Sequence, residues 1–243
     1  MSIKDRLELI NTPDDVFETA GDLLVKGHEV VDTLSEYSIY LNVANKWMNK
    51  RRENKCKEFL QGLGMKVLSR EELTADDLKK LDKLLKKNVN RLLVLDILEE
   101  ATKTVSDTSS RLLGIIAGQV MKEEKKFEYN EWVLVNGLKN MNEWDLENLK
   151  KIYLYFDSNP DRKSTNSTSV YLYFYPQHSE DTVGSIREEL EDDEKYQMFR
   201  SSLMRMNSLQ VLGTGEMTFD DDGTTVTSSK VGYEIYKLLN LLG

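Results

Sequence analysis

The sequence holds one cysteine, three prolines and two histidines in 243 residues, and each scarcity removes a class of chemistry. With Cys56 alone, neither an intrachain disulfide nor a cysteine-based metal cluster can form, and the thiol reads as a small, partly buried side chain. His28 and His178 are the only imidazoles. No His-Glu-x-x-His zinc motif exists, and a Ser-His-Asp or Cys-His arrangement has little to draw on for its base. His178, beside Pro176, Glu180 and Asp181, reads as a surface turn residue. Neither Gly-x-x-x-x-Gly-Lys-Ser/Thr nor Gly-x-Gly-x-x-Gly occurs, which removes the familiar phosphate-cradling loops. Asp220 to Gly223 lacks the alternating oxygen ligands and the distant glutamate of a calcium loop. No apolar run approaches the roughly 20 residues of a transmembrane helix, and MSIKDRLELI lacks the basic-then-apolar pattern of a secretory signal. The expectation is a cytoplasmic chain with no membrane association, no cofactor and no metal.

What is present is charge and helical periodicity. Charged residues make up 31% of the chain against 40% hydrophobic, with a net charge of −9, as in a globular protein with an ample core. The charge is unevenly spread. Residues 1–45 carry 3 cations against 9 carboxylates, residues 46–91 carry 14 against 7, and residues 92–243 carry 16 against 26. A basic middle between acidic flanks marks either a nucleic-acid or partner surface, or a segment neutralised inside the molecule by its own acidic neighbours.

The stretch Asn90 to Met121 organises the rest. Leu93, Val94, Ile97, Leu98 and Ala101 recur at the spacing of one helical face, which must be buried. After the turn-forming run Ser106 to Ser110, the residues Leu112, Leu113, Ile115, Ile116, Ala117 and Val120 cover most of a helix circumference. That helix belongs in the middle of a bundle, with Gly114 and Gly118 as a seam for close backbone approach. Upstream, Thr12-Pro13-Asp14-Asp15 starts a helix toward His28. A second helix runs from Val30 to Lys57 with no proline to stop it and ends in the basic cluster Lys50, Arg51, Arg52, Lys55 and Lys57. Gly62 and Gly64 read as a helix end. Ser69 with Glu72 forms a capping box, and Thr74 with Asp77 a weaker one, ahead of a helix carrying Leu78, Leu81, Leu84 and Leu85.

Beyond residue 126 the units shorten. Trp132 to Leu138 predicts one helix and Asn142, as an N-cap, another through Tyr153. VYLYFY, residues 170–175, reads as a strand that Pro176 ends, with Tyr171, Tyr173 and Tyr175 on one face, either packed across strands or presented to a base or peptide. Helices near 183–190 and 196–209 follow, the second closed by Gly213 and Gly215. Residues 216–219 and 224–227 flank Asp220 to Gly223 as a hairpin, and a terminal helix carries Val231, Ile235, Leu238, Leu239 and Leu242.

Helix, hairpin and final helix is the order of winged-helix domains, which this end resembles. That resemblance makes 196–209 the candidate recognition helix, with Arg200 and Arg205, and the hairpin the wing. A wing tip of three aspartates repels phosphate, so the reading favours a protein-binding or structural module over a DNA reader. Asp161 and Asp193 with Lys195 imitate a metal-dependent nuclease core only loosely, because that core needs its second carboxylate and lysine on a strand.

FLQGL in the first half, RLLGIIAG in the central helix and NEWDLENLKKIY before the winged-helix-like end together resemble uncharacterised proteins carried by prophages and conjugative elements of Gram-positive bacteria. The layout is similar to that of abortive-infection proteins of the Abi-alpha type. The resemblance spans residues 50–155 and lacks the hydrophobic hairpin of membrane-linked members. It implies a part in conflict between mobile elements and their hosts, and it carries over no catalytic residue. The expectation is a mainly α chain: a helical bundle over 1–126 and a small α+β, winged-helix-like domain over 127–243. Its expected function is that of a non-enzymatic interaction factor binding a host or phage protein, with Lys50, Arg51, Arg52, Lys55, Lys57, Arg200 and Arg205 as contact candidates and homodimerisation open. The alternative is a DNA-binding transcriptional regulator that uses the cluster at residues 50–57.

Overall fold

A computed structural model describes residues 39–123, 127–162, 164–175, 183–215 and 225–242. The first expected helix, His28, His178 and the aspartates of the expected wing tip lie outside these residues. The described chain is mainly helical with one small antiparallel sheet, and it divides into two compact units, Met1–Phe127 and Glu128–Gly243.

In the first unit, α1 (Ile39–Leu68) packs most extensively against α4 (Asp107–Glu123), with α2 (Ala75–Lys86) and α3 (Arg91–Thr102) completing the bundle. The central position expected for α4 is found: Leu112, Leu113, Ile115, Ile116, Ala117 and Val120 are all buried, alongside Phe59, Leu60 and Leu63 of α1. Each of the Leu, Ile, Val and Phe side chains among them contributes about 1.5 to 3 kcal/mol on burial. α3 buries Val94, Ile97, Leu98 and Ala101, while Leu93 stays half-exposed.

Three expectations for this unit are corrected. Gly62 and Gly64 do not end a helix, because α1 continues to Leu68. Gly62 instead lies against the α4 backbone, where a Cβ would overlap the carbonyl oxygen of Arg111. Reciprocally, a Cβ on Gly114 would overlap that of Phe59. The close approach predicted at Gly114 therefore exists, and its other half is Gly62, whereas Gly64 lies against the Leu73 side chain and Gly118 against that of Lys66. The capping order also reverses. Thr74 and Asp77 form the box that starts α2, whereas Ser69 sits in the left-handed region at φ 55°, outside any helix. The expected turn at 106–110 is shorter than its composition implies. The Ser106 hydroxyl accepts the Ser109 N–H at 2.9 Å, and Ser109 and Ser110 belong to the first turn of α4.

The second unit runs α5 (Tyr129–Asn140), α6 (Glu143–Ser158), β1 (Ser164–Asn166), α7 (Ser167–Phe174), α8 (Val183–Glu191), α9 (Glu194–Ser208), β2 (Gly213–Thr214), β3 (Thr225–Thr227) and α10 (Lys230–Leu239). The sheet order is β1-β3-β2, all antiparallel, with Thr165 and Thr214 both opposite Val226. α6 sits at the centre, contacting α7, α9 and α10 through Leu149, Ile152, Tyr153 and Phe156. The Tyr153 hydroxyl donates to the Ser229 carbonyl and accepts the Ser229 N–H, each at 3.0 Å, fixing the start of α10. Burial pushes this phenol's pKa up, against the lowering effect of the Ser229 hydrogen bonds.

VYLYFY is helix, not strand. The Asn166 side chain accepts the Ser169 N–H at 2.6 Å and starts α7, Val170 is fully buried, and Tyr171 and Leu172 pack on Ile186, Leu190 and Tyr196. Strand propensity reflects fit to a pleated surface, and here a helical surface supplies the packing instead. α9 is closed not by Gly213 or Gly215 but by Gln210 at φ 60°, which lets the Val211 N–H reach the Met206 carbonyl at 2.9 Å.

Candidate partner-binding surfaces

The five cations of α1 do not form one face. Successive helical residues are rotated by about 100°, so Lys50 and Lys57 share a side while Arg51 and Lys55 share another. Lys55 is 3% exposed and its ammonium lies 2.6 Å from Asp107, at the positive end of α4. The Arg51 guanidinium reaches the Thr104 carbonyl at 3.4 Å. Lys50, Arg52 and Lys57 are exposed. Between these positions, Glu53 has its pKa raised by burial against the attraction of Lys50, and burial with Glu53 pushes the Cys56 thiol up to about 11 despite Arg52. A thiol so shifted stays protonated at neutral pH and is a poor nucleophile. One turn on, the Arg111 guanidinium donates to Glu58 at 2.7 Å and Gln61 at 2.9 Å. Lys55, Glu58 and Gln61 thus form a ladder that ties α1 to the first turns of α4.

The cations assigned to α9 fare similarly. The Arg205 guanidinium donates to Asp145 at 2.6 and 3.2 Å, and the Ser202 hydroxyl donates to the same oxygen at 2.7 Å. The second oxygen of Asp145 accepts the Asn142 N–H at 2.9 Å, as the return bond of a capping box. This fully buried carboxylate joins α6 to α9. Arg200 is half-buried. The solvent side of α9 instead carries Met198 and Met204, 47% and 58% exposed.

Asp161 and Asp193 are not brought to a common metal site. Asp193 caps α9 through the Lys195 N–H at 2.8 Å and accepts the Tyr171 hydroxyl at 2.9 Å. Burial raises its pKa, but the bonds from Tyr171, Lys195 and Tyr196 with the Lys195 charge outweigh that and hold it low. The Tyr171 phenol is pushed up, first by burial and then by Asp193. Among the described residues no group of three or more His, Cys, Asp or Glu side chains is placed to hold a metal. Of the three tyrosines expected on one strand face, Tyr171 stacks on Tyr175 at 5.0 Å between ring centroids, and Tyr173 meets Tyr155 edge-on at 5.6 Å. A recess between α5 and α10, lined by Glu131, Leu134, Lys230 and Glu234, holds about 10 Å³, room for a single water.

Sequence reasoning missed the turn between α2 and α3. The Asn88 amide donates to the Met121 carbonyl at 2.9 Å and the Asn90 amide to the Val120 carbonyl at 3.0 Å, satisfying two of the last acceptors of α4. The Asn88 side-chain oxygen also accepts the Asn90 N–H at 2.8 Å. The only sequence signal was the spacing Asn-Val-Asn at a helix junction, where asparagine favours local turns. No helix among the described residues is long and apolar enough to cross a membrane.

Charge separates the two units. Residues 1–127 hold 22 cations and 22 carboxylates, whereas residues 128–243 hold 11 against 20 and account for the whole net charge of −9. Comparison with family models, with curated proteins and with solved structures finds no match to this chain.

Proposed function

We propose that this chain is a non-enzymatic interaction factor of a mobile genetic element that acts in phage and host conflict by binding a protein partner. The observation that carries the reading is the charge and chemistry of the second unit: nearly two carboxylates per cation, Arg205 committed to a buried aspartate, and exposed methionines on α9. Phosphate binding needs unengaged Lys and Arg, while flexible, polarisable methionines suit adaptable protein contacts. The second unit reads as winged-helix-like. The order β1-β3-β2, with a strand ahead of α9 pairing into a hairpin behind it, supports that reading and makes α9 the helix such modules use for contact. The mobile-element setting rests on the resemblance of residues 50–155.

A DNA-binding regulator is the second reading, favoured by the exposure of Lys50, Arg52 and Lys57. Reversing these three to glutamate separates the two readings. Lys55 is left intact because reversing it would break its ion pair with Asp107. Loss of a co-purified host or phage protein with DNA retention unchanged supports the interaction factor. Loss of a salt-sensitive affinity for duplex DNA supports the regulator.

A further inference from the structure

The tip between α2 and α3 joins three features: exposed aliphatic side chains, a basic frame and a rigid anchor. Val89 is 78% exposed and Leu92 65%, with Leu84 also exposed two residues before the end of α2. Scattered surface aliphatics are ordinary, but these three fall within one helix-turn-helix junction. From Lys79 to Arg91 the chain carries six cations against one carboxylate, Asp82, on a molecule whose net charge is −9. Lys79 and Lys80 pair with the acidic residues that begin α2, and Lys86 pairs with Asp82 at 3.0 Å. Lys83 and Lys87 are exposed and make no ion pair among the described residues. The two asparagine anchors on α4 hold this junction in one geometry, so little ordering entropy remains to be lost on binding.

We propose that this tip is a docking surface for an acidic amphipathic helix of a partner protein, with Val89, Leu92 and Leu84 receiving its apolar stripe and Lys83 and Lys87 its flanking carboxylates. The inference rests on the protein-interaction reading and gives that partner a chemistry. Charge complementarity selects an acidic partner and steers its approach. A lipid surface fits less well. The apolar face of α2, Leu81 and Leu85, is turned inward, leaving three aliphatics and no aromatic anchor for a bilayer. Nucleic acid fits less well because exposed Leu84, Val89 and Leu92 offer phosphates no donor.

The test uses the full chain and a labelled synthetic helix of about 18 residues, with leucines at i, i+3, i+4 and i+7 and glutamates on both flanks. Saturable binding is expected, weakened about tenfold or more by the double variant Val89→Glu, Leu92→Glu. The variant Lys83→Glu, Lys87→Glu should weaken binding and flatten its salt dependence. All four side chains are exposed, so helicity and urea midpoint should hold, and the asparagine anchors remain. Equal binding by wild type and the Val89, Leu92 variant, or by a lysine-flanked helix, would overturn the docking site while leaving the interaction reading intact. Capture by phosphatidylserine vesicles through the same residues, without helix binding, would overturn it in favour of a membrane. A wild-type dimer dissociated by that variant would overturn it in favour of a second copy. Absence of helix binding together with steeply salt-dependent DNA binding would remove both the site and the interaction reading.

Discussion

At the scale of single residues, a buried carboxylate ties elements together inside each unit. Asp145 is the strongest case, because its oxygens serve a helix start, a hydroxyl and a guanidinium at once. Asp145→Asn keeps the shape but turns one acceptor into a donor facing Arg205, and should cost about 2 to 3 kcal/mol in urea unfolding. Asp77 offers a pH-dependent counterpart. The Thr74 hydroxyl and backbone N–H, followed by Arg70 and Lys80, hold its pKa below the ordinary 3.8 against the opposing effect of burial. A carboxylate with a depressed folded pKa stabilises above its unfolded value, and that stability is lost as pH falls through the folded one. Asp77→Asn should therefore be less stable than wild type at neutral pH, with the gap closing as titration passes below 3.8. The capping partners Asn142 with Asp145 and Thr74 with Asp77 were legible from three-residue spacing. The link from Asp145 to Arg205 was not, because it spans sixty positions and depends on how α6 packs on α9.

At the scale of elements, periodicity located nearly every described helix, and it failed where composition spoke for something else. VYLYFY has the β-branched and aromatic content of a strand, yet Val170 is buried, Tyr171 and Leu172 pack on side chains of α8 and α9, and the helix start is capped by Asn166. The glycines of FLQGLG carry the composition of a stop, but the use of Gly62 becomes visible only when the α4 backbone is brought against it, and that of Gly64 only when Leu73 packs on it. Contact candidates were harder still. Five neighbouring cations look like one patch in a string of letters, and only the 100° step of the helix, with Asp107 across from Lys55, reveals that they divide. Gly62→Ala and Gly114→Ala each place a methyl group on a carbonyl oxygen of the partner helix. Each should destabilise the first unit by about 1 to 3 kcal/mol or more, seen as a lower urea midpoint.

At the scale of the whole molecule, the separation of charge sets expectations that no single contact could. The neutral first unit concentrates its cations on one segment, while the second unit carries the excess of carboxylates. Retention of the full chain on duplex DNA should be weak and change little between about 50 and 200 mM salt, where a protein neutralising several phosphates would lose orders of magnitude in affinity. A steep slope in that titration would count against an interaction factor and for a regulator.

The contact between α1 and α4 at Gly62 and Gly114 is one of main chain against main chain, with no side-chain layer in between. Nothing there can be trimmed elsewhere to make room, so second-site suppressors have no foothold. In a saturation library selected for folding, columns 62 and 114 should stay monomorphic. Columns 64 and 118, whose neighbours are the side chains of Leu73 and Lys66, should admit alanine or serine once those neighbours shift.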